Sequence, residues 1–178
     1  SYRISEAFMR IYKLFWDEFS SWYLEMIKPA YQAPIDAATF KATLQFFEQL
    51  MKIIHPFMPF ITEELYQHIA ERKDGESIMV DTLVLDAPTA EDVQLMEQYE
   101  EAKQIISGVR AVRQSKNISP REPLTLEIVQ SADAGKNVTQ CPALNAIIKK
   151  MASLAEIQNV QAKSDGTSAF MLGTTEYA

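Results

Sequence analysis

The sequence predicts a mainly α protein, a helical bundle followed by a small C-terminal α/β appendage. Apolar residues recur every three or four positions through most of the first 116 residues, the spacing of one helix face. The period falls to two after Pro120 and Pro123, where Leu124, Leu126 and Ile128 alternate with Thr125, Glu127 and Val129 as a half-buried strand does. No internal repeat or low-complexity tract offers a competing architecture. The change of period sets the predicted domains at 1–117 for the bundle and 118–178 for the appendage.

In the first helix Ile4, Phe8, Ile11, Phe15, Phe19, Trp22 and Met26 form the inward stripe, with Trp22 at its centre, and Lys28-Pro29 ends it. Asp36 is the expected N-cap of a second helix whose inward set is Phe40, Leu44, Phe47, Met51 and Ile54. His55-Pro56 stops or kinks that helix. Thr62 is the expected cap of a third, with Glu63 and Glu64 complementing the dipole of its first turn. Asp74-Gly75 marks a turn, and Thr89 with Asp92 reads as a capping box opening a helix that runs to about Ser115. Gly108 sits in its middle at a cost of about 1 kcal/mol relative to Ala. In the appendage Leu144, Ile147, Ile148 and Met151 fit a short helix, and Phe170 to Leu172 a second strand.

With 47% hydrophobic and 23% charged residues in 178, the composition is that of a globular protein. The single Cys141 cannot form an internal disulfide and reads as a small apolar thiol. No secretory signal and no apolar run of about 18 residues is present, so a cytoplasmic location away from membranes is expected. A start at Ser1 within helical periodicity, and an equally abrupt end, read as a fragment trimmed from a longer chain.

The segment Trp16-Asp17-Glu18-Phe19-Ser20-Ser21-Trp22-Tyr23-Leu24-Glu25-Met26-Ile27-Lys28-Pro29 resembles the anticodon-binding helical domain of the class I aminoacyl-tRNA synthetases for valine, isoleucine and leucine. His55-Pro56-Phe57-Met58-Pro59-Phe60-Ile61-Thr62-Glu63-Glu64-Leu65, followed by Ser77-Ile78-Met79, is similar to the valyl members, and His55 argues against the other two. Val109-Arg110-Ala111-Val112-Arg113 with Ile118-Ser119-Pro120 extends the resemblance over nearly the whole chain. Ser20-Ser21 stands where the family often has Cys-Asp, and Tyr66 where it has Trp.

The resemblance implies a tRNA-binding part of a valine–tRNA ligase that is not itself catalytic. HIGH-like and KMSKS-like signatures are absent, so ATP, Mg²⁺ and L-valine are implied as ligands of the complete enzyme only. The implied partners are tRNA(Val) and the catalytic domain of the same chain, in an enzyme expected to be monomeric. An isoleucine– or leucine–tRNA ligase, or a helical protein-interaction module without RNA binding, are the alternatives.

The residues themselves offer few chemical sites. His55 and His68 stand thirteen positions apart with no metal-binding spacing, and the glycines are too scattered for a phosphate loop. The aromatic run from Phe15 to Tyr23 has the faces needed to stack on bases, but its spacing fits core packing better. The motif residues Trp16, Phe19, Trp22, Tyr23, His55, Pro56, Phe57, Pro59, Phe60, Thr62, Glu63 and Glu64 therefore read as architectural.

A formal net charge of -7 argues against nucleic-acid binding by the whole surface, so RNA contacts must be local. Between Glu101 and Glu122 the chain carries Lys103, Arg110, Arg113, Lys116 and Arg121 and no acid. Lys103 and Arg110 lie two turns apart along one helix edge and fit a phosphate backbone, whereas Arg113 lies near the apolar stripe and suits an internal carboxylate partner. A solvated charged face explains this island equally well. The face bearing Arg3, Arg10 and Lys13 is a weaker candidate, because Glu6 and Asp17 offset it.

Overall fold

The computed structural model describes residues 3–129 and 141–178. The chain forms two compact units, Ser1–Asp86 and Ala87–Ala178.

The first unit is helical. A continuous helical backbone comprises α1 (Ile4–Lys13), a π-helical segment (Leu14–Tyr23) and α2 (Leu24–Ile27). In the π-helical part Ser20 Oγ donates to the carbonyl of Phe15 and Ser21 Oγ to that of Trp16, each at 2.9 Å and five residues back. The two serines that depart from the family motif thus brace this wider turn. The widening also changes which side chains face inward, because side chains four or five apart now align and the third falls away. Phe15, Phe19 and Tyr23 form the inner row, Phe19 stacking on Phe47 at 6.0 Å and on Tyr23 at 5.6 Å. Trp22, expected at the centre of an α-helical stripe, is only half-buried; Phe19 is the buried residue of the segment.

Helix α3 (Ala37–Ile54) starts as expected, Asp36 accepting from the Thr39 amide at 2.8 Å, and ends before His55. Its first turn projects beyond the core, so Phe40, expected inside, is 51% exposed. Pro59 opens α4 (Pro59–Ile69), which begins four residues earlier than predicted. Thr62 therefore lies within the helix and not at its cap. Met51, Tyr66 and Ile78 form the buried centre, with Phe47, Leu65 and Ile69 around it.

A polar network closes this core. Arg72 Nη2 donates to Glu48 at 2.8 Å, Lys52 Nζ lies 2.8 Å from Asp81 and 3.1 Å from Glu48, and the Tyr66 hydroxyl donates to Asp81 at 2.8 Å. These bonds, led by those from Lys52 and Tyr66, hold the Asp81 carboxyl down to about 2. Burial pushes Glu48 upward, but the bonds from Arg72 and Lys52 outweigh it and leave its carboxyl below the ordinary value.

The second unit contains α5 (Ala90–Lys116), β1 (Leu124–Val129), α6 (Pro142–Ala152), β2 (Leu154–Val160), β3 (Phe170–Leu172) and β4 (Thr175–Tyr177). The Thr89/Asp92 capping box forms as predicted. The sheet has the order β2-β1-β4-β3, with β1 and β2 parallel and joined through α6. Neither β2 nor β4 is legible as an alternating run.

The predicted boundary at 117/118 falls inside this unit. Helix α5 reads with the bundle by its period, yet Ala102, Ile105, Ile106 and Val109 are buried in a unit where α5 packs on α6 and β3. Leu144, Ile148, Leu126 and Ile128 supply the facing core. Tyr177 is buried there as well; desolvation, aided by Glu101, pushes its hydroxyl up to about 12.

Candidate nucleic-acid interface

The acid-free interval lies on the C-terminal half of α5 and the loop after it, and the five cations there meet different fates. Lys103 is nearly buried and pairs with Glu100 at 2.7 Å, its ammonium 4.8 Å from the Tyr99 ring centre. Its charge is spent within the helix surface. Arg113 is buried too, but its partners are carbonyls and not the expected carboxylate. Nη1 donates to Ser119 O at 2.8 Å, and Nη2 to Ala152 O at 3.1 Å and Ser153 O at 2.9 Å. The interval itself has no acid, and the bonds go to carbonyls at the end of α6 and in the loop after α5. Arg113 thereby satisfies orphan carbonyls at the C-terminus of α6.

Arg110 is exposed and donates from Nη2 to Met151 O at 2.9 Å, while Lys116 and Arg121 are exposed on the last turn of α5 and the following loop. Of the predicted set, the structure keeps Arg110, Lys116 and Arg121 on the surface and takes Lys103 and Arg113 into internal bonds. Sequence reasoning missed Lys149 and Lys150, in the last turn of α6, whose end Arg110 and Arg113 touch. The signal was present as a second acid-free stretch, residues 134–155, but nothing in the linear order joined it to the first.

In the first unit Arg3 pairs with Glu6 at 2.8 Å, and Arg10 and Lys13 are exposed in the last turn of α1. The aromatic run divides here. Its inner row packs on α3, whereas Trp16 is 55% exposed and stacks in parallel on Tyr12, with ring centres 6.3 Å apart and planes within 8°. This outward pair offers a flat aromatic face.

The second motif forms a self-bonded corner. His55 ends α3, Pro56 follows it, and Phe57 meets Phe8 at 5.1 Å. The Thr62 hydroxyl donates to Met58 O at 2.8 Å, so the 2.7 Å contact with His55 Nδ1 has the histidine nitrogen as donor. Glu63 accepts from Gln67, Ser77 and the Ile78 amide, bonds that hold its carboxyl below the ordinary value. Glu64 lies 3.6 Å from His68, and Phe60 projects almost fully into solvent. Among the described residues no His, Cys, Asp and Glu side chains gather into a group able to hold a metal ion.

Residues 1–129 match the family model described as the anticodon-binding domain of tRNA ligase. The chain belongs to this family of anticodon-binding domains. Among its relatives are proteins named valine–tRNA ligase: that of Phocaeicola vulgatus is 52% identical over 177 residues, that of Bacteroides thetaiotaomicron 51% over 179, and that of Bacteroides fragilis 50% over 177. Each alignment takes in 99% of this chain and 19% of the relative. The chain therefore spans about a fifth of the length of these proteins. In an anticodon-binding domain, the motif corner at His55 and the π-helical segment belong to the matched region, while α6, β2, β3 and β4 lie beyond it.

Proposed function

We propose that the chain is the tRNA-binding part of a valine–tRNA ligase, holding tRNA(Val) so that its acceptor end reaches a catalytic domain elsewhere in the same polypeptide. The observation that carries this reading is about 50% identity to valine–tRNA ligases along 99% of the chain. Its role is binding and orientation, which lower the entropic barrier of a reaction carried out at a distance. ATP, Mg²⁺ and L-valine are ligands of the rest of the enzyme in this reading, since the chain has neither a phosphate loop nor the ATP-holding signatures of the class. No helix among the described residues is long and apolar enough to cross a membrane, in keeping with work on tRNA in the cytoplasm.

The surfaces that favour RNA are the exposed Trp16/Tyr12 face in the first unit and the exposed Arg110 and Lys116 of α5 in the second. The two act differently. Aromatic faces stack on unpaired bases, whereas surface cations follow phosphates and fix position without reading sequence. A filter-binding titration of the chain with tRNA(Val) and tRNA(Ile) at low salt tests the reading. Binding that weakens steeply with salt and favours tRNA(Val) is expected; absence of binding to either would overturn it.

A further inference from the structure

We propose that the C-terminal ends of α5 and α6 form one composite surface for the phosphodiester backbone of a folded RNA, in which Arg110, Lys116 and Arg121 act together with Lys149 and Lys150. The inference rests on the RNA-binding reading above and states where on the second unit the backbone lies.

Two stretches without a single acid, 102–121 and 134–155, are brought together by tertiary hydrogen bonds. Arg110 donates to Met151 O, Arg113 to Ala152 O and Ser153 O, and the Leu124 amide to Ser153 O at 3.4 Å. The loop carrying Arg121 folds back through the bond from Arg113 to Ser119 O. The ends of α5 and α6 that carry these cations are thereby tied together.

A helix C-terminus attracts cations because its last carbonyls are unpaired. At α6 those carbonyls accept from Arg110 and Arg113, and Lys149 and Lys150 stand in the same last turn. The acids that bound the two acid-free runs in the sequence are Glu101, Glu122, Asp133 and Glu156, of which Glu156 accepts from Gln158. In a chain of net charge -7 such a concentration suits a regularly spaced polyanion, and side chains on two rigid helix ends can span successive phosphates.

The test is the salt dependence of unfractionated tRNA binding by the 178-residue chain. Lys149→Ala with Lys150→Ala should lower the magnitude of the log–log salt slope by about 1.4 to 1.8, the release expected for two phosphate contacts. Lys116→Ala with Arg121→Ala should give a drop of the same size. A control pair in the first unit, Lys41→Ala with Lys73→Ala, changes the formal charge equally and should leave the slope unchanged. Lys149→Arg with Lys150→Arg should also retain it. An unchanged slope in the α6 pair with binding intact, or an equal fall in the control pair, overturns this inference alone. Absence of salt-dependent binding by the parent chain overturns the RNA-binding reading and this inference with it.

Discussion

Gly108 of α5 lies against the ring of Phe170 in β3 so closely that a Cβ at position 108 would overlap the ring atoms. A glycine that looks like a weakness in a 27-residue helix is the point at which the strand approaches it. Phe170 is fixed from its other side by stacking on Tyr177, with ring centres 5.4 Å apart, so it cannot swing away cheaply.

Gly108→Ala should therefore destabilise the second unit by about 1 to 3 kcal/mol, the usual cost of overpacking, despite alanine's better helix propensity. Phe170→Leu in the same background should recover part of the loss, giving a favourable coupling in a double-mutant cycle measured by chemical denaturation. A neutral or stabilising Gly108→Ala would show that the helix and strand do not meet this closely.

Arg113→Ala removes the donors to Ser119, Ala152 and Ser153 from a buried site. The expected loss is about 3 kcal/mol, since the freed carbonyls stay partly shielded from water. In the same titration Lys116→Ala, on the surface, should change stability by less than about 0.5 kcal/mol.

Acid should loosen the first unit. Asp81 has a folded value of about 2 against an ordinary 3.8, so its contribution is fully present above pH ~4 and is lost as pH falls through about 2. Glu48 is lowered as well and acts in the same direction. Allowing for solvent screening at a partly exposed carboxylate, Asp81 accounts for about 1 kcal/mol of this loss. Asp81→Asn should flatten the stability profile between pH 4 and 2 by that amount, as followed by urea unfolding at each pH.

The two classes of aromatic residue should separate experimentally. Phe19→Ala opens the inner row and should cost about 3 to 5 kcal/mol. Trp16→Ala should cost less than about 1 kcal/mol of stability while weakening tRNA binding roughly 5-fold or more, as loss of one stacked base does. Equal tRNA affinity for Trp16→Ala and the parent would remove the outward face from the interface.

Local signals in the sequence determined much of this protein. Asp36, the Thr89/Asp92 box and His55-Pro56 set helix ends through bonds reaching only three or four residues, and the alternation from Leu124 is visible because one strand face is buried. The family was legible in the Trp16 and His55 motifs for a related reason, since both are contiguous runs. What tertiary structure decided depended on distant partners. The period of α5 assigned it to the bundle, but its apolar face is matched by α6 and the sheet. The π-helical turn exchanged Trp22 for Phe19 at the centre of the stripe, because a wider turn changes which spacing faces inward. Lys103 read as a surface cation until Glu100 engaged it, and Arg113, expected to pair with an internal carboxylate, found the carbonyls of α6 instead. Charge in a sequence records only its sign; whether it is exposed to a ligand depends on which carbonyls and acids the fold brings within hydrogen-bonding reach.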